Sequence, residues 1–415
     1  MIGKKTNVKS FDTTLMIIYV VLVVIGWLSI FPSSVGHTQD ISIFDFSKPY
    51  GKQFIWIGIS AILSIVILTL EARVFMNYAY YIYAFCLLLM LLVFFLGTSI
   101  NGAKAWIKIG QFSIQPAEFA KFATALALAK FFNDGKTDKQ RANQWIVAGL
   151  MVLVPIVIIM LQHDAGSALV YLSFIFLFYR EGMSGNIFII GVGVFVLFLL
   201  TFCLNEIYAV SAATALYIAF MIFNRRDKRK MIKTTAIFLV AVGVIFAINP
   251  AYNKLLEPHQ RMRIETLFGK TVDPQGADFN LNQSKIAIGS GGFFGKGFLK
   301  GTQTKLDFVP ERHTDFIFCS IGEEFGFLGS LVIVSLFVWL ILRILFLAER
   351  HRIRFVRYYG YSVASIIFVH FIINIGMTIG LMPIIGIPLP FLSYGGSSLI
   401  AFTILLFVFI RLNEM

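Results

Sequence analysis

The chain has 415 residues, of which 58% are hydrophobic and 14% are charged, and its mean hydropathy is +0.81. This composition excludes a soluble globular protein and predicts a polytopic membrane protein. A net charge of +13 would suggest nucleic-acid binding in a soluble protein. In a membrane protein, Lys and Arg instead collect in cytoplasmic loops, so we interpret the charge as a signal of orientation and expect no nucleic-acid partner.

Twelve apolar segments are long enough to cross a membrane, or short enough to be buried among segments that do, because one span needs about 17 to 25 residues. We therefore predict an all-α bundle of about twelve transmembrane helices in one integral membrane domain. No small-residue cleavage site follows the first segment, so we expect it to be a retained span. The predicted spans are 14–31, 53–70, 77–97, 117–132, 144–162, 166–180, 184–203, 207–223, 231–248, 315–346, 355–380 and 394–411.

The basic residues beside these spans predict the orientation. Four clusters fall on one side of a twelve-span arrangement, and they lie at 4–9, 136–141, 225–230 and 350–357. Basic clusters mark the cytoplasmic side, so both termini are predicted to be cytoplasmic. The segments predicted on the opposite side are 98–116, the turn around 164, the long loop 249–314, and 382–393.

The first outer loop and the span after it carry three residues of interest. Trp106 could contact a substrate or anchor the membrane interface. Glu118 and Lys121 are three residues apart on one helix face, inside a span, where charges must pair or face a polar cavity. We interpret them as a structural ion pair, and a direct catalytic role is the alternative.

Asp164, in LQHDAGSA, lies at a turn between two spans. Asp commonly bonds to its own backbone in such turns. The alternative is a second outer-face carboxylate that converges on the same cavity as a catalytic acid or base.

The long loop 249–314 is rich in basic residues, which suggests an anionic partner. Its segment EPHQRMRIETLFG predicts a short interfacial helix, in which Arg261 and Arg263 could hold a pyrophosphate by forked hydrogen bonds. Binding of lipid headgroups or pairing with nearby Glu residues explains the two arginines equally well. The glycine-dense run IGSGGFFGKG could cradle phosphate oxygens, with Lys296 adding charge, or could form a flexible re-entrant turn.

The stretch FVPERHTDFIF places Glu311, His313 and Asp315 where this loop enters an apolar helix. An ionisable residue at a membrane boundary is a functional candidate, because a charge there must be solvated or paired. Asp315 is the first candidate for a catalytic group. The alternative is that Asp315 only caps the following helix.

The last third of the chain has two further features that predict structure. His370 and Asn374 share one helix face within a span, so we expect them to hydrogen-bond across the bundle. The segment MPIIGIPLPFLSYGGSS has three prolines and cannot be a continuous helix, which predicts an irregular loop at the outer mouth.

Five motifs in fixed order, QPAEFAK, QHDAGSAL, NQSKIAIGSGGFFGKG, PERHTDFIF and GIPLPFLSYGGSS, together resemble the shape, elongation, division and sporulation (SEDS) glycosyltransferases. The PERHTDFIF form is more similar to the elongation branch, RodA, than to the division branch, FtsW. Ala117, His163 and Ala165 depart from the usual family residues. Members usually have ten spans, so the resemblance makes 184–248 the site of an extra transmembrane pair.

The resemblance implies an enzyme that polymerises lipid II, in the bacterial inner (cytoplasmic) membrane, with its active site facing the periplasm or the cell exterior. Asp315 would be the general base. A divalent cation, Mg²⁺ or Mn²⁺, is compatible with the pyrophosphate leaving group, but no metal ligands are assigned. The residues that would bind substrate are Arg261, Arg263, Gln283, Ser284, Lys296, Arg312, His313, Trp106 and Asp164.

The resemblance also implies a partner, a class B penicillin-binding protein that crosslinks peptides. Small residues along the eleventh span, such as Gly360, Gly376 and Gly380, could form the docking face for its single helix or could be an internal packing face.

Two other functions remain open from the residues alone. A lipid II flippase or transporter would explain the intramembrane charges, although its polar groups should concentrate near the bilayer midplane rather than in outer loops. A non-catalytic scaffold for cell-wall enzymes would tolerate replacement of Asp315.

Overall fold

A computed structural model describes residues 11–35, 45–100, 102–110, 112–135, 141–204, 206–223, 227–255, 258–268, 277–304, 306 and 308–415. Within these residues there are sixteen α-helices and three short β-strands. The first eight helices are α1 (Thr13–Val35), α2 (Pro49–Thr69), α3 (Ala72–Asn77), α4 (Ala79–Leu96), α5 (Pro116–Asp134), α6 (Arg141–Leu161), α7 (Ala165–Val170) and α8 (Phe174–Arg180). The others are α9 (Asn186–Leu204), α10 (Glu206–Phe223), α11 (Lys228–Leu255), α12 (Pro258–Leu267), α13 (Ala277–Gly291), α14 (Ile317–Arg350), α15 (Arg354–Thr378) and α16 (Gly396–Leu412).

Each of the twelve predicted spans falls on helical residues, and the chain is a multi-pass membrane protein. Among the described residues, eight helices are long and apolar enough to cross a membrane: α1, α2, α4, α6, α10, α11, α14 and α15. Ala165–Arg180, α9 and α16 contribute shorter apolar helices. The remaining predicted span is α5, which carries Glu118 and Lys121. The exact number of spans stays a prediction.

The chain divides into two compact units. The main unit comprises the chain up to Leu177 and from Phe279 onward, and the second unit runs from Phe178 to Asp278.

The second unit contains α9 to α12. The ring of Tyr217 in α10 stacks on Phe238 in α11, with 4.5 Å between centroids. Phe202 of α9 packs against Tyr252 and Phe268.

The region 184–248 holds α9, α10 and most of α11. Its interpretation as an extra pair of spans stays a prediction. The predicted short helix at Arg261 and Arg263 is confirmed as α12, and its position at the membrane interface stays a prediction.

The core of the main unit is built on α5 and α15, which pack against each other. Alanines such as Ala120, Ala123 and Ala127 are buried along α5. Small side chains let neighbouring membrane helices approach closely. This close packing buries Glu118 and Lys121 of α5 inside the protein.

Three strands between α4 and α5 were missing from the all-α prediction. β1 (Thr98–Ile100), β2 (Ala103–Ile109) and β3 (Phe112–Ile114) form an antiparallel sheet in the order β1-β2-β3. Gly102 and Gly110 have positive φ (86° and 64°) in the intervening turns. The alternation in AKAWIKI and the Asn-Gly turn before it are ordinary hairpin signals.

α14 is broken at Gly326, whose angles (φ 63°, ψ −155°) are not helical. In an unbroken helix, the amides of Phe327 and Leu328 would donate to carbonyls four residues earlier. Here they donate to the carbonyls of Gly292 and Phe293, at 2.9 and 3.2 Å. The turn after α13 therefore replaces the acceptors that the break removes.

The same turn also satisfies the carbonyls that the break leaves free. The carbonyl oxygens of Glu323 and Glu324 accept hydrogen bonds from the amides of Lys296 and Gly297, at 3.0 and 2.9 Å. All four backbone groups released by the break thus have partners. Unpaired groups in an apolar environment would each cost several kcal/mol.

Glycine is required in this turn because two backbones lie in contact. A Cβ at Gly295 would lie 2.1 Å from the carbonyl oxygen of Glu324, and one at Gly291 would lie 2.0 Å from that of Gly322. The amides of Gly295, Lys296 and Gly297 already donate to carbonyls. The phosphate-cradle interpretation is therefore wrong for these three amides.

The glycines of the eleventh predicted span, which lie in α15 and just after it, face the protein's own interior. A Cβ at Gly360 would meet Phe409 and Ala348, and one at Gly380 would meet the Lys285 side chain. The structure supports the internal-packing alternative for these glycines. It does not support the expected docking face for a partner on them.

We predict that Gly295→Ala destabilises the protein more than Gly292→Ala does. Both positions have positive φ, 80° and 59°, but a Cβ at Gly292 meets nothing within 4 Å. Positive φ alone costs about 1–3 kcal/mol for a residue with a side chain. Thermal unfolding of the purified variants should show the added clash as a lower midpoint for Gly295→Ala. Equal midpoints would contradict the proposed backbone contact.

Candidate active site

The candidate base Asp315 lies in the turn that leads into α14. Three consecutive carbonyls of this turn accept hydrogen bonds from residues near the C-terminal end of the chain. The bonds run from Tyr394 N to His313 O (2.7 Å), from Ser393 Oγ to Thr314 O (2.7 Å) and from Asn374 Nδ2 to Asp315 O (2.8 Å). The backbone of the turn is therefore held by partners distant in sequence.

The position of Asp315 does not match the capping alternative. The N-cap residue of α14 is Phe316, without a side-chain capping bond, and Asp315 precedes it. Asp315 is partly buried. Its carboxylate faces the backbone of Gly386, where a Cβ would lie 3.2 Å from Asp315 Oδ2. Since Gly386 has φ of 78°, a glycine suits this position on both grounds.

Two side chains of α15 hold the irregular segment 381–395, which we call the C-terminal loop. Asn374 Nδ2 donates to the carbonyl of Ile387 at 2.7 Å, and His370 Nδ1 lies 3.1 Å from the carbonyl oxygen of Pro388. Both side chains are almost completely buried. The prediction that they hydrogen-bond across the bundle is confirmed, and so is the irregular loop.

Glu118 and Lys121 connect to the same loop through His370. Lys121 Nζ lies 2.7 Å from Glu118 Oε1 and 2.9 Å from His370 Nε2. Because a carbonyl only accepts, His370 must donate from Nδ1 to Pro388, which leaves Nε2 to accept from Lys121. A buried polar chain thus runs from α5 to the C-terminal loop.

Asp164 both caps a helix and lies beside the C-terminal loop. Its Oδ1 accepts from the amide of Ser167 at 3.0 Å, at the start of α7, and its Oδ2 accepts from Gln115 Nε2 at 2.6 Å. A Cβ at Gly166 would lie 2.9 Å from the carbonyl oxygen of Ile385, one residue before the glycine that faces Asp315. Asp164 therefore bonds to the backbone of its own turn, as predicted. A second role for Asp164 as an outer-face carboxylate stays a prediction.

Glu323 holds the segment 302–304, which we call the clamped loop. Its Oε1 accepts from Lys296 Nζ (2.7 Å), from the amide (2.7 Å) and hydroxyl (3.1 Å) of Thr302, and from the amide of Gln303 (2.9 Å). Its Oε2 accepts from the amide and hydroxyl of Thr304, at 2.9 and 2.8 Å. The Glu323 side chain is fully buried. This carboxylate fixes the loop just before the segment that carries Asp315.

The two cationic candidates of the main unit are only partly available to a substrate. Lys296 donates to Glu323 and to the hydroxyl of Thr302 (2.7 Å), and a quarter of its side chain remains exposed. Arg312 is buried and donates to the carbonyl of Val309 at 3.3 Å. Substrate binding by either residue stays a prediction.

The other candidates are spread over several elements. Ser284 is buried in α13 and donates to the carbonyl of Thr378, while Gln283 beside it is partly buried. Trp106 lies on β2. Arg261 and Arg263 lie on α12 in the second unit, where Arg261 reaches Asn253 at 3.5 Å.

Comparison with known proteins decides the family. The model of the cell cycle protein family named for FtsW, RodA and SpoVE matches residues 12–221 and 211–415. The chain belongs to this family.

Individual members of the FtsW/RodA/SpoVE family match over nearly the whole chain. Peptidoglycan glycosyltransferase MrdB of Escherichia coli is 33% identical over 390 residues, covering 94% of this chain and 90% of the relative. Peptidoglycan glycosyltransferase RodA of Treponema pallidum is 31% identical and covers 95% of both chains. A solved peptidoglycan synthase complex, described for its structural coordination of polymerization and crosslinking, contains a chain with 25% identity, a TM-score of 0.67 and 98% coverage of both chains.

Sequence reasoning missed two residues that hold this candidate site together. Glu323 lies in IGEEFG, and a buried acid among apolar residues was a signal that could have identified it. Ser393 gave no such signal, because its acceptor lies 79 residues away.

We predict that Glu323→Gln releases the clamped loop. An amide in place of the carboxylate removes the charge paired with Lys296 and turns one acceptor into a donor that faces donors. Loss of one partner of a buried pair costs about 3 kcal/mol or more, roughly 100-fold in a local opening equilibrium. Hydrogen–deuterium exchange should show faster exchange at Thr302 to Thr304, and Glu71→Gln, at an exposed acid, should leave it unchanged. Unchanged protection in Glu323→Gln would refute the clamp.

Proposed function

We propose that this chain is a peptidoglycan glycosyltransferase that polymerises lipid II into glycan strands during cell elongation, with Asp315 as general base. The relatives named MrdB and RodA support the activity. The observation that carries the site is the turn His313–Asp315, whose three carbonyls are held while its carboxylate faces Gly386. A general base must be held within hydrogen-bond reach of the proton it removes, and the held backbone of this turn supports that role for Asp315.

The reaction moves the growing glycan from its undecaprenyl pyrophosphate carrier to the 4-hydroxyl of an acceptor sugar. The hydroxyl oxygen bonds to the anomeric carbon of the donor as the bond from that carbon to the pyrophosphate oxygen breaks. The electron pair leaves with the pyrophosphate, and the hydroxyl proton goes to Asp315. Basic side chains can stabilise the charge on the leaving group, so no acid partner is needed.

The cationic candidates for the pyrophosphate are Lys296 and Arg312 in the main unit and Arg261 and Arg263 on α12. The remaining candidates for contact with the substrate are Gln283, Ser284, His313, Trp106 and Asp164. In the part of the chain that the structure describes, no three His, Cys, Asp or Glu side chains group together as ligands for a metal ion.

We propose that the protein lies in the bacterial inner membrane with both termini in the cytoplasm. The support is the distribution of basic clusters beside the spans, because such clusters remain cytoplasmic. In that orientation the turn of Asp315, the C-terminal loop and the clamped loop all face the periplasm or the cell exterior.

The proposed partner is a class B penicillin-binding protein, whose transpeptidase would crosslink the glycan made by this chain. Its support is the solved peptidoglycan synthase complex, whose description joins polymerization to crosslinking.

We predict that Asp315→Asn abolishes polymerisation while the protein still folds. The amide has nearly the same shape as the carboxylate but cannot accept the hydroxyl proton as a base, and loss of a general base typically costs about 10²–10⁴-fold in rate. Purified protein with the proposed transpeptidase partner, given labelled lipid II, should yield glycan polymer for the wild type and none for Asp315→Asn.

The matched control is Glu311→Gln, a nearby carboxylate that accepts from Thr314 Oγ1 within the same turn and should retain activity. Near-wild-type polymer from Asp315→Asn would sink the assignment of the base. Failure of the wild type to make polymer would favour the flippase or scaffold function.

The proposed orientation predicts which side of the membrane two exposed lysines occupy. Lys300→Cys should react with a membrane-impermeant thiol reagent in intact cells, and Lys230→Cys should react only after the cells are opened. Both positions are exposed on the protein, and the unsubstituted chain gives the background. Labelling of Lys230→Cys from outside would contradict the orientation.

A further inference from the structure

We propose that Asn374 and Ser393 are positioning residues that set the direction of the Asp315 side chain by holding the backbone of its turn. This inference rests on the proposed role of Asp315 as the base. Neither residue needs to touch the substrate.

Asn374 joins the turn to the C-terminal loop through one nitrogen. Its Nδ2 carries two hydrogens, one donated to the carbonyl of Asp315 (2.8 Å) and the other to that of Ile387 (2.7 Å). The side chain is completely buried, so water does not compete for these donors. The turn and the loop are thereby fixed at one separation, and Gly386, next to Ile387, faces the Asp315 carboxylate.

Ser393 makes a second connection in the same way. Its hydroxyl donates to the carbonyl of Thr314 (2.7 Å) and accepts from the amide of Leu389 (2.8 Å). The hydroxyl hydrogen and one lone pair are thus both used, one toward the turn and one within the loop. Together with the bond from Tyr394, these bonds hold the carbonyls of His313, Thr314 and Asp315. The three carbonyls therefore cannot rotate independently.

Fixing these peptide planes fixes the Cα–Cβ direction of Asp315. These three bonds end on main-chain oxygens and therefore do not use the oxygens of the Asp315 carboxylate. A displacement of about 1 Å in a reacting group can lower the rate about 100-fold. Loss of either donor should therefore act on the chemical step more than on substrate binding.

Stability alone does not explain Asn374. Its Oδ1 is buried and has no partner in the described part of the chain, and a buried acceptor without a donor is unfavourable. An apolar side chain of similar size would avoid that cost. The two donors are what the asparagine adds.

The test compares steady-state polymerisation of labelled lipid II by full-length Asn374→Leu, Ser393→Ala and Ser393→Thr. Asn374→Leu and Ser393→Ala should lower kcat about 10–100-fold and leave KM for lipid II within about twofold. Ser393→Thr keeps the hydroxyl and should restore most of the rate. The control Ser365→Ala removes a buried hydroxyl that bonds within α15 and should retain activity.

Each outcome decides between positioning and structural roles. Normal kcat in Asn374→Leu and Ser393→Ala would overturn the inference, and loss of activity in Asp315→Asn would then still support the base. Loss of activity together with a large fall in the thermal midpoint, without rescue by Ser393→Thr, would assign a structural role and also overturn it. Activity in Asp315→Asn would instead remove the assignment of Asp315 as the base, and the inference with it.

Discussion

The break of α14 at Gly326 is the constraint on which the candidate site depends. A helix in an apolar environment cannot leave its amides and carbonyls unpaired, so the break needs a second segment that supplies both donors and acceptors. The turn at 292–297 supplies them, and it can approach only because glycines lie where the two backbones meet. The same approach brings Lys296 to Glu323. The glycine run, the break and the clamped loop are therefore one structural unit.

From this unit the chain continues directly into the turn of Asp315, which is held on its other side by the C-terminal loop. Glu323 fixes the residues before the turn, and Asn374 and Ser393 fix the turn itself. The buried chain of Glu118, Lys121 and His370 supports the loop from behind. A carboxylate held in this way needs little rearrangement before it acts, which is the usual advantage of a preorganised site.

Hydropathy predicted the membrane-spanning helices, because apolar length is a local property of the sequence. The motif around Asp315 could also be predicted, because its residues are adjacent in the sequence. So could the shared face of His370 and Asn374, since periodicity within one helix is local too. The acceptors of Ser393 and Tyr394 could not be predicted in this way. Nor could the contacts between the acids and glycines that meet across α13 and α14. These contacts join segments far apart in the chain, and no periodicity records them. The three strands were missed for a different reason: a seven-residue alternation in a loop is weak beside the hydropathy of its neighbours.

The most direct test of this account is the distance between the Asp315 carboxylate and the acceptor hydroxyl. A cryo-electron microscopy structure of the full-length chain with a non-reactive lipid II analogue in the acceptor position would measure it. The account predicts that an Asp315 oxygen lies about 2.6–3.2 Å from the 4-hydroxyl, with the three carbonyl bonds of the turn intact. An acceptor hydroxyl bound against a different carboxylate, with Asp315 turned away from the sugar, would contradict it.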